Sequence, residues 1–329
     1  MGQRLIVGDE KREFLGHPHT HAAGPHGATK AGLMELKEKS LAFRFKERAP
    51  TSLWRDALRR LLRNKLAIVG IVILGAFLAF ALFAPLIAPY DPLDQELVSR
   101  RHPPSPQHPF GLDNLGRDIL SRIIFGSQVS LRVGVLSVAL AIVAGSLLGL
   151  MSGYLGGWAD NLTMRFMDIM LAFPAMLLAI AIVAVLGPGL MNMLIAIGLV
   201  SIPTYARLVR AQVLAIKAQD YVLAARAIGV GTGRMLFRNI LPNSITPIIV
   251  QGTLGIAGAI LDAAGLSFLG LGAQPPIPEW GAMLGEGRFS MFTAPHIIIF
   301  PGIAIMLTVL GFNLLGDGLR DALDPRLRM

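Results

Sequence analysis

Long apolar runs without Asp, Glu, Lys or Arg, separated by polar segments, make up most of the sequence. They cover residues 66–90, 133–159, 169–206, 239–261 and 289–316. A helix needs about 20 apolar residues to cross the hydrocarbon core of a bilayer. The run at 169–206 is too long for one crossing, and Leu186-Gly-Pro-Gly189 within it supplies a turn between two helices. The pattern therefore predicts an all-α integral membrane protein with six transmembrane helices.

Two polar segments precede the first apolar run. Residues 1–50 are rich in polar residues, Gly and His, which predicts a disordered cytoplasmic tail. A metal site is the alternative for its histidines, but the flanking Gly and Pro residues favour a solvated segment, and we expect no metal there; these histidines are His17, His19, His21 and His26. Residues 51–65 place apolar side chains on one helical face and arginines on the other, which is typical of a basic amphipathic helix on a membrane surface. Residues 66–329 then form the six-span domain.

Composition agrees with a membrane protein, since 53% of residues are hydrophobic and only 16% are charged, against about a quarter in soluble domains. The chain has no cysteine, which excludes disulfides, thiolate catalysis and cysteine metal sites. Its net charge of +9 could indicate nucleic-acid binding, but no basic stripe with interleaved aromatic residues is present. The charge instead indicates topology, because Lys and Arg are retained on the cytoplasmic side.

The basic residues concentrate in the first 65 positions and in the loop at 207–243, whereas the segment after the first run balances its arginines with acids. We therefore expect both termini and the loop at 207–243 in the cytoplasm, and the segments 91–122 and 270–287 outside.

The loop at 207–243 has the composition of a helical projection. A short helix is predicted around Tyr221–Ala225, Gly229 can adopt a positive φ that ends it, Thr232 can cap the next helix, and Leu241-Pro242 suits the first turn of the fifth span. Ala224 and Ala225 are small enough for close approach by a partner. The residues alone leave two interpretations open, which are docking to a cytoplasmic partner and a surface loop held only by the membrane.

The spacing of Ala224-Ala225, Gly229 and Leu241-Pro242 resembles the EAA loop of permease subunits in binding-protein-dependent ABC importers. The family pattern has Glu where this chain has Leu223, and often Ile or His at the position of Asn239. Further blocks narrow the resemblance to the C-type permeases of dipeptide and oligopeptide importers, over about residues 50–328; these blocks are 110–122, 205–210, 265–272, 274–281 and 317–326.

The resemblance implies a permease of the type I ABC importer fold in the bacterial inner membrane. It would pair with a homologous permease, two ATPase subunits that bind ATP and Mg²⁺, and an extracytoplasmic substrate-binding protein. The chain itself would be no enzyme and hold no cofactor or metal. The coupling loop would carry Tyr221, Leu223, Ala224, Ala225, Arg226, Gly229, Leu241 and Pro242. Arg226 and Arg234 are either rim contacts of the ATPase or positive-inside anchors.

Peptides are the substrate that the resemblance favours, although related permeases carry nickel or glutathione. A stand-alone secondary transporter is the rival interpretation. It would require ionisable residues within the spans, which the sequence largely lacks.

Several charged residues outside the coupling loop allow two interpretations. In the outward segment, an ion network at the outer mouth is favoured over a contact for the binding protein; its members are Asp113, Arg117, Asp118 and Arg122. Asp168 is expected to pair with Arg165 at the inner end of the third span, and Asp262 lies near the outer end of the fifth.

Overall fold

The computed structural model describes residues 53–323, and the predictions for the tail at 1–50 lie outside this part of the chain. Within it the helices are α1 (Leu53–Leu61), α2 (Lys65–Ile87), α3 (Ile119–Leu155), α4 (Gly157–Ala172), α5 (Ala175–Leu186), α6 (Leu190–Lys217), α7 (Asp220–Ala227), α8 (Leu241–Phe268), α9 (Trp280–Gly287) and α10 (His296–Leu323). A helical turn (Thr232–Arg234) and a π-helical segment (Met235–Ile240) lead directly into α8. Single 3-10 turns lie at Leu97–Ser99 and Arg288–Ser290.

Five of the described helices, α2, α3, α6, α8 and α10, are long and apolar enough to cross a membrane. The helices α4 and α5 meet at an angle of 95°, and the number of spans is six if this bent pair is one broken span rather than a re-entrant loop. The expectation of an all-α protein with about six spans is confirmed, but the third span is not one straight helix. Pro174 lacks a backbone N–H and Phe173 before it is extended, so the helix breaks there.

The second span also differs from the predicted 133–159. Its helix, α3, starts at Ile119, where the Asp118 carboxylate accepts a hydrogen bond from the Ser121 N–H at 2.8 Å. It ends at Gly156, whose φ of +68° an L residue rarely adopts. The apolar pattern missed the first turns because Arg122 and Arg132 interrupt it, although the Arg122 side chain is buried in protein rather than in lipid.

The two helices α3 and α6 pack side by side along a row of glycines. A Cβ atom built on Gly149 would lie 2.4 Å from the carbonyl oxygen of Ala206, and one on Gly145 would lie 2.8 Å from that of Ile202. Gly153 continues the row against Val213. Residue numbers rise together along both helices, so they run parallel, and their backbones are too close to admit any side chain.

The other half of the bundle is built from α2, α8, α9 and α10. Trp280 at the start of α9 is fully buried among Phe77, Ile123 and Ile260, and its indole N–H donates to the Ile123 carbonyl at 3.1 Å. The segment 88–118 and α9 lie at one end of the bundle, where α3 begins, and α7 lies at the other end, where α3 and α6 finish.

Candidate functional site

The helix α7 is fixed to the bundle by one buried side chain. Val222 has no exposed surface and packs against Leu150 of α3, Val209 and Val213 of α6, and Met235 of the π-helical segment. An eight-residue helix is too short to be stable in water by itself. Its position therefore depends on this apolar contact with α3 and α6.

Hydrogen bonds from Tyr221 join α7 to the beginning of α8. Its hydroxyl donates to the Asn239 carbonyl at 3.3 Å and accepts from the Asn243 Nδ2 at 2.9 Å. The same Nδ2 also donates to the Asn239 carbonyl at 2.7 Å. These hydrogen bonds connect α7 to the first turn of α8.

The opposite face of α7 is apolar and open. Leu223 is 49% exposed and Ile228, directly after the helix, is 82% exposed, while Ala224 and Ala227 lie between them on the same surface. A contiguous apolar face on a polar end of a membrane protein is typical of a protein contact.

Basic side chains surround this face, and one of them packs on the bundle. The Arg226 guanidinium lies 5.6 Å from the centre of the Tyr154 ring, within cation–π range. Lys217 donates to the Tyr154 carbonyl at 2.9 Å and so satisfies the last turn of α3. Neither Tyr154 nor Lys217 was singled out from the sequence, because nothing in the pattern links the end of α3 to α7.

The backbone after α7 follows the predicted turn in part. Gly229 has a φ of +79°, as expected for a residue that ends a helix. The predicted cap at Thr232 is wrong, because the helical turn begins at Thr232 itself and Gly231 occupies the cap position. Pro242 lies in the first turn of α8, as expected, although the π-helical segment continues into that helix without a loop.

The charged residues of the segment before α3 form a buried network with a member that the sequence did not indicate. Arg117 donates to Asp113 at 2.6 Å and to Glu286 of α9 at 2.5 Å. The guanidinium of Arg122 lies 3.6 Å from Asp113 and 3.4 Å from Glu286. The two arginines and Asp113 are nearly inaccessible to solvent, so this network joins the segment before α3 to α9 inside the protein.

Asp118, which the sequence grouped with these residues, lies outside the network. It caps α3 and lies 3.0 Å from the His108 Nδ1. The second carboxylate of the network belongs to Glu286 instead of Asp118. It was missed because it is distant in sequence and the four predicted charges already balance.

Two further ion pairs join α4 to α6. Asp168 pairs with Arg207 at 2.6 Å. The predicted pairing of Asp168 with Arg165 is therefore wrong, because α4 packs against α6 at this point and brings Arg207 close. Asp160 binds Arg210 through two hydrogen bonds of 2.6 Å and also accepts from Ser152. These pairs hold the first half of the broken span against α6.

Comparison with protein families matches residues 145–329 to the binding-protein-dependent transport system inner membrane component. It matches residues 52–104 to the N-terminal transmembrane domain of oligopeptide transport permease C. The chain belongs to this family of permeases. It is a subunit of a binding-protein-dependent ABC importer, a multi-pass protein of a family that resides in the inner membrane.

Individual relatives of this permease are also permease proteins of transport systems. The dipeptide transport system permease protein of Alkalihalophilus pseudofirmus is 52% identical over 275 residues, which is 84% of this chain and 90% of that protein. The glutathione transport system permease proteins of Pectobacterium atrosepticum and Escherichia coli are 49% and 50% identical over 276 residues, which is 84% of this chain and 92% and 91% of theirs.

Proposed function

We propose that α7 is the element through which separate ATPase subunits drive this permease, and that the transported solute is a short peptide. The observation that carries the coupling role is an exposed apolar tip on a helix fixed to the bundle. Leu223 and Ile228 offer the apolar surface, Val222 holds the helix on α3 and α6, and Tyr221 joins it to α8.

The residue at position 223 favours an apolar form of this contact. The family pattern places Glu there, whereas Leu223 offers no charge and half of its surface is accessible. Inserting Leu223 and Ile228 into an apolar cleft removes both from water, and burial stabilises such side chains by about 1.5–3 kcal/mol each. Arg226 and Arg234 of the same loop are exposed and are suited to acidic side chains around the cleft.

In this arrangement the end of the bundle that carries α7 faces the cytoplasm, where the ATPases bind ATP and Mg²⁺. The loop at 207–243 is basic, in agreement with retention of Lys and Arg on that side. A homologous permease completes the transmembrane part, and a binding protein delivers the solute to the end that carries the segment 88–118 and α9. Alternating access follows when ATP binding moves α7 and the spans attached to it.

The peptide substrate is supported by the relatives. Their names refer to dipeptides and to glutathione, and both are short peptides with free carboxylates. Nickel is the alternative solute, and uptake of labelled dipeptide against labelled Ni²⁺ by the complete transporter separates the two.

Cross-linking tests the docking contact. The chain has no native cysteine, so Ala224→Cys can be combined with single cysteines in the ATPase without removing other thiols. We expect a nucleotide-dependent cross-link from Ala224→Cys and none from Val98→Cys, which is 97% exposed at the other end of the bundle. Equal yields from both positions would refute the assignment.

A backbone substitution tests whether the shape of this loop matters for transport. Gly229→Val places a β-branched residue at a φ of +79°, where the strain is about 1–3 kcal/mol although no atom lies near the new side chain. We expect normal membrane insertion and loss of uptake. Gly231→Val is the matched control, since Gly231 has an ordinary φ of −63° and equally open surroundings, and it should retain uptake.

A further inference from the structure

A cavity of about 670 Å³ opens between α6, α8 and α10. It is bounded by the C-terminal parts of α6 and α10 and by the first half of α8, so it lies at the end of the bundle that carries α7. Sites for small molecules typically measure about 300–1,000 Å³. The cavity, called the α8 vestibule below, therefore has room for a short peptide.

One face of α8 supplies most of its wall. Asn243, Thr246, Gln251 and Leu254 line the cavity, and their spacing places them on a single stripe of the helix. Gln212 of α6 lies across from them. Polar side chains within a span are unfavourable against lipid, so a stripe of this composition indicates a face that meets water or a polar ligand.

The carboxamides on this wall are available for a ligand. Within residues 53–323, the side chains of Gln212 and Gln251 make no hydrogen bond to the protein, and that of Asn243 uses only its Nδ2. A carboxamide offers a donor and an acceptor side by side, which is the same pair that a peptide group presents. Such a wall can pair with a peptide backbone whatever side chains the peptide carries.

One basic side chain lies at the rim of the vestibule. Arg320 of α10 lines the vestibule and is exposed, and no carboxylate in the described part of the chain forms an ion pair with it. An α-carboxyl group has a pKa of about 3.3–3.7 and is ionised at neutral pH. The guanidinium can bind such a carboxylate through two parallel hydrogen bonds.

Two other cavities on the described surface lack this combination. The one beside segment 88–118, of about 340 Å³, is lined by Asp91, Asp94 and Glu96 and repels a carboxylate. The one between α4, α5 and α6, of about 360 Å³, is lined by apolar side chains alone.

We propose that the α8 vestibule is the inward subsite through which the transported peptide leaves. The carboxamides of Gln212, Asn243 and Gln251 pair with its backbone, and Arg320 binds its C-terminal carboxylate. The chain thus recognises what all peptides share rather than any particular side chain. This inference deepens the proposed function and rests on a peptide being the solute.

Transport by the complete assembly tests the role of Arg320. Uptake of a dipeptide with a free carboxylate is compared with uptake of the same dipeptide carrying a C-terminal amide, in proteoliposomes with unchanged ATPases and binding protein. For Arg320→Gln we expect the ratio of free to amidated uptake, relative to the parent, to fall about three- to fivefold, the effect of one exposed ion pair. Arg59→Gln, an exposed arginine of α1 away from the vestibule, should leave the ratio unchanged.

Thiol labelling tests occupancy independently of the transport rate. In the cysteine-free chain, Gln251→Cys places a thiol in the vestibule, and Ile245→Cys places one on a different face of α8. During turnover with dipeptide we expect labelling of Gln251→Cys by an anionic thiol reagent to slow at least threefold, and labelling of Ile245→Cys to stay constant.

The vestibule assignment and the peptide substrate can be rejected independently of each other. If the parent imports dipeptide but Arg320→Gln leaves the ratio unchanged and Gln251→Cys is not protected, the vestibule is rejected and the importer assignment stands. If the parent imports no dipeptide, the peptide substrate is rejected and this inference with it.

Discussion

The buried network between the segment before α3 and α9 makes a quantitative prediction for Glu286→Gln. Its four charges sum to zero, with Arg117 and Arg122 opposite Asp113 and Glu286. The substitution keeps the shape of the side chain but leaves two guanidinium groups facing one carboxylate. Removing one partner of a buried ion pair costs about 3–5 kcal/mol.

The Glu286 side chain is 29% exposed, and water reaches it, so the lower part of that range or somewhat less applies. We expect about 2–3 kcal/mol, which corresponds to a decrease of roughly 5–10 °C in the melting temperature of a domain of this size. Thermal unfolding of the detergent-solubilised complex, followed by tryptophan fluorescence, measures this decrease, since Trp280 packs beside the network.

A second substitution separates charge balance from packing. Arg122→Met replaces a fully buried cation by an apolar side chain, and the double variant with Glu286→Gln restores one cation and one anion. We expect the double variant to be more stable than the sum of the two single losses by about 1–3 kcal/mol. Strict additivity, or a single variant Glu286→Gln within 1 °C of the parent (roughly 0.3 kcal/mol), would show that the network is not held by charge balance.

Three further substitutions test other contacts. Gly149→Leu should separate α3 from α6, because its Cβ would lie 2.4 Å from the Ala206 carbonyl oxygen. We expect the yield of folded protein in size-exclusion chromatography to fall sharply. Gly258→Leu has open space around it and should not change the yield. Tyr221→Phe removes the hydrogen bonds between α7 and α8, and we expect ATP turnover to continue while solute imported per ATP falls about three- to tenfold. Burial raises the pKa of Glu279, so the parent should lose stability as the pH rises from the ordinary glutamate range through the folded-state pKa. Glu279→Gln should flatten this dependence of the melting temperature on pH. The same pH profile in the variant and the parent would show that Glu279 is not its source.

The sequence predicted the spans because uncharged runs of sufficient length have few other uses. It failed where a side chain has a partner elsewhere in the fold. The predicted second span began too late, because the uncharged run starts after Arg132, whereas α3 extends back to Ile119 and its Arg122 is neutralised by Glu286 far along the chain. The break at Pro174 was also missed, because the later turn at residues 186–189 already explained the length of the run.

Within the candidate site, local geometry was predictable and contacts were not. The positive φ of Gly229 follows from a helix that must end before a turn. The contact of Arg226 with Tyr154, and the hydrogen bond of Tyr221 to Asn243, depend on how α3 and α8 meet α7, which no spacing within the loop encodes. The contacts of Arg226 and of the charges at 113–122 therefore could not be read from the sequence.

The glycine row between α3 and α6 has a mechanical consequence. Because the backbones approach closely at Gly145, Gly149 and Gly153, the two helices cannot slide past each other without collision, and spreading would lose their packing, so we expect them to move as one rigid unit. Val222 seats α7 on the end of that unit by contacts to both helices. In the coupling that we propose, a displacement of α7 would therefore move α3 and α6 as a pair, and we expect the movement of that pair relative to α8 to occur at the wall that carries Gln251.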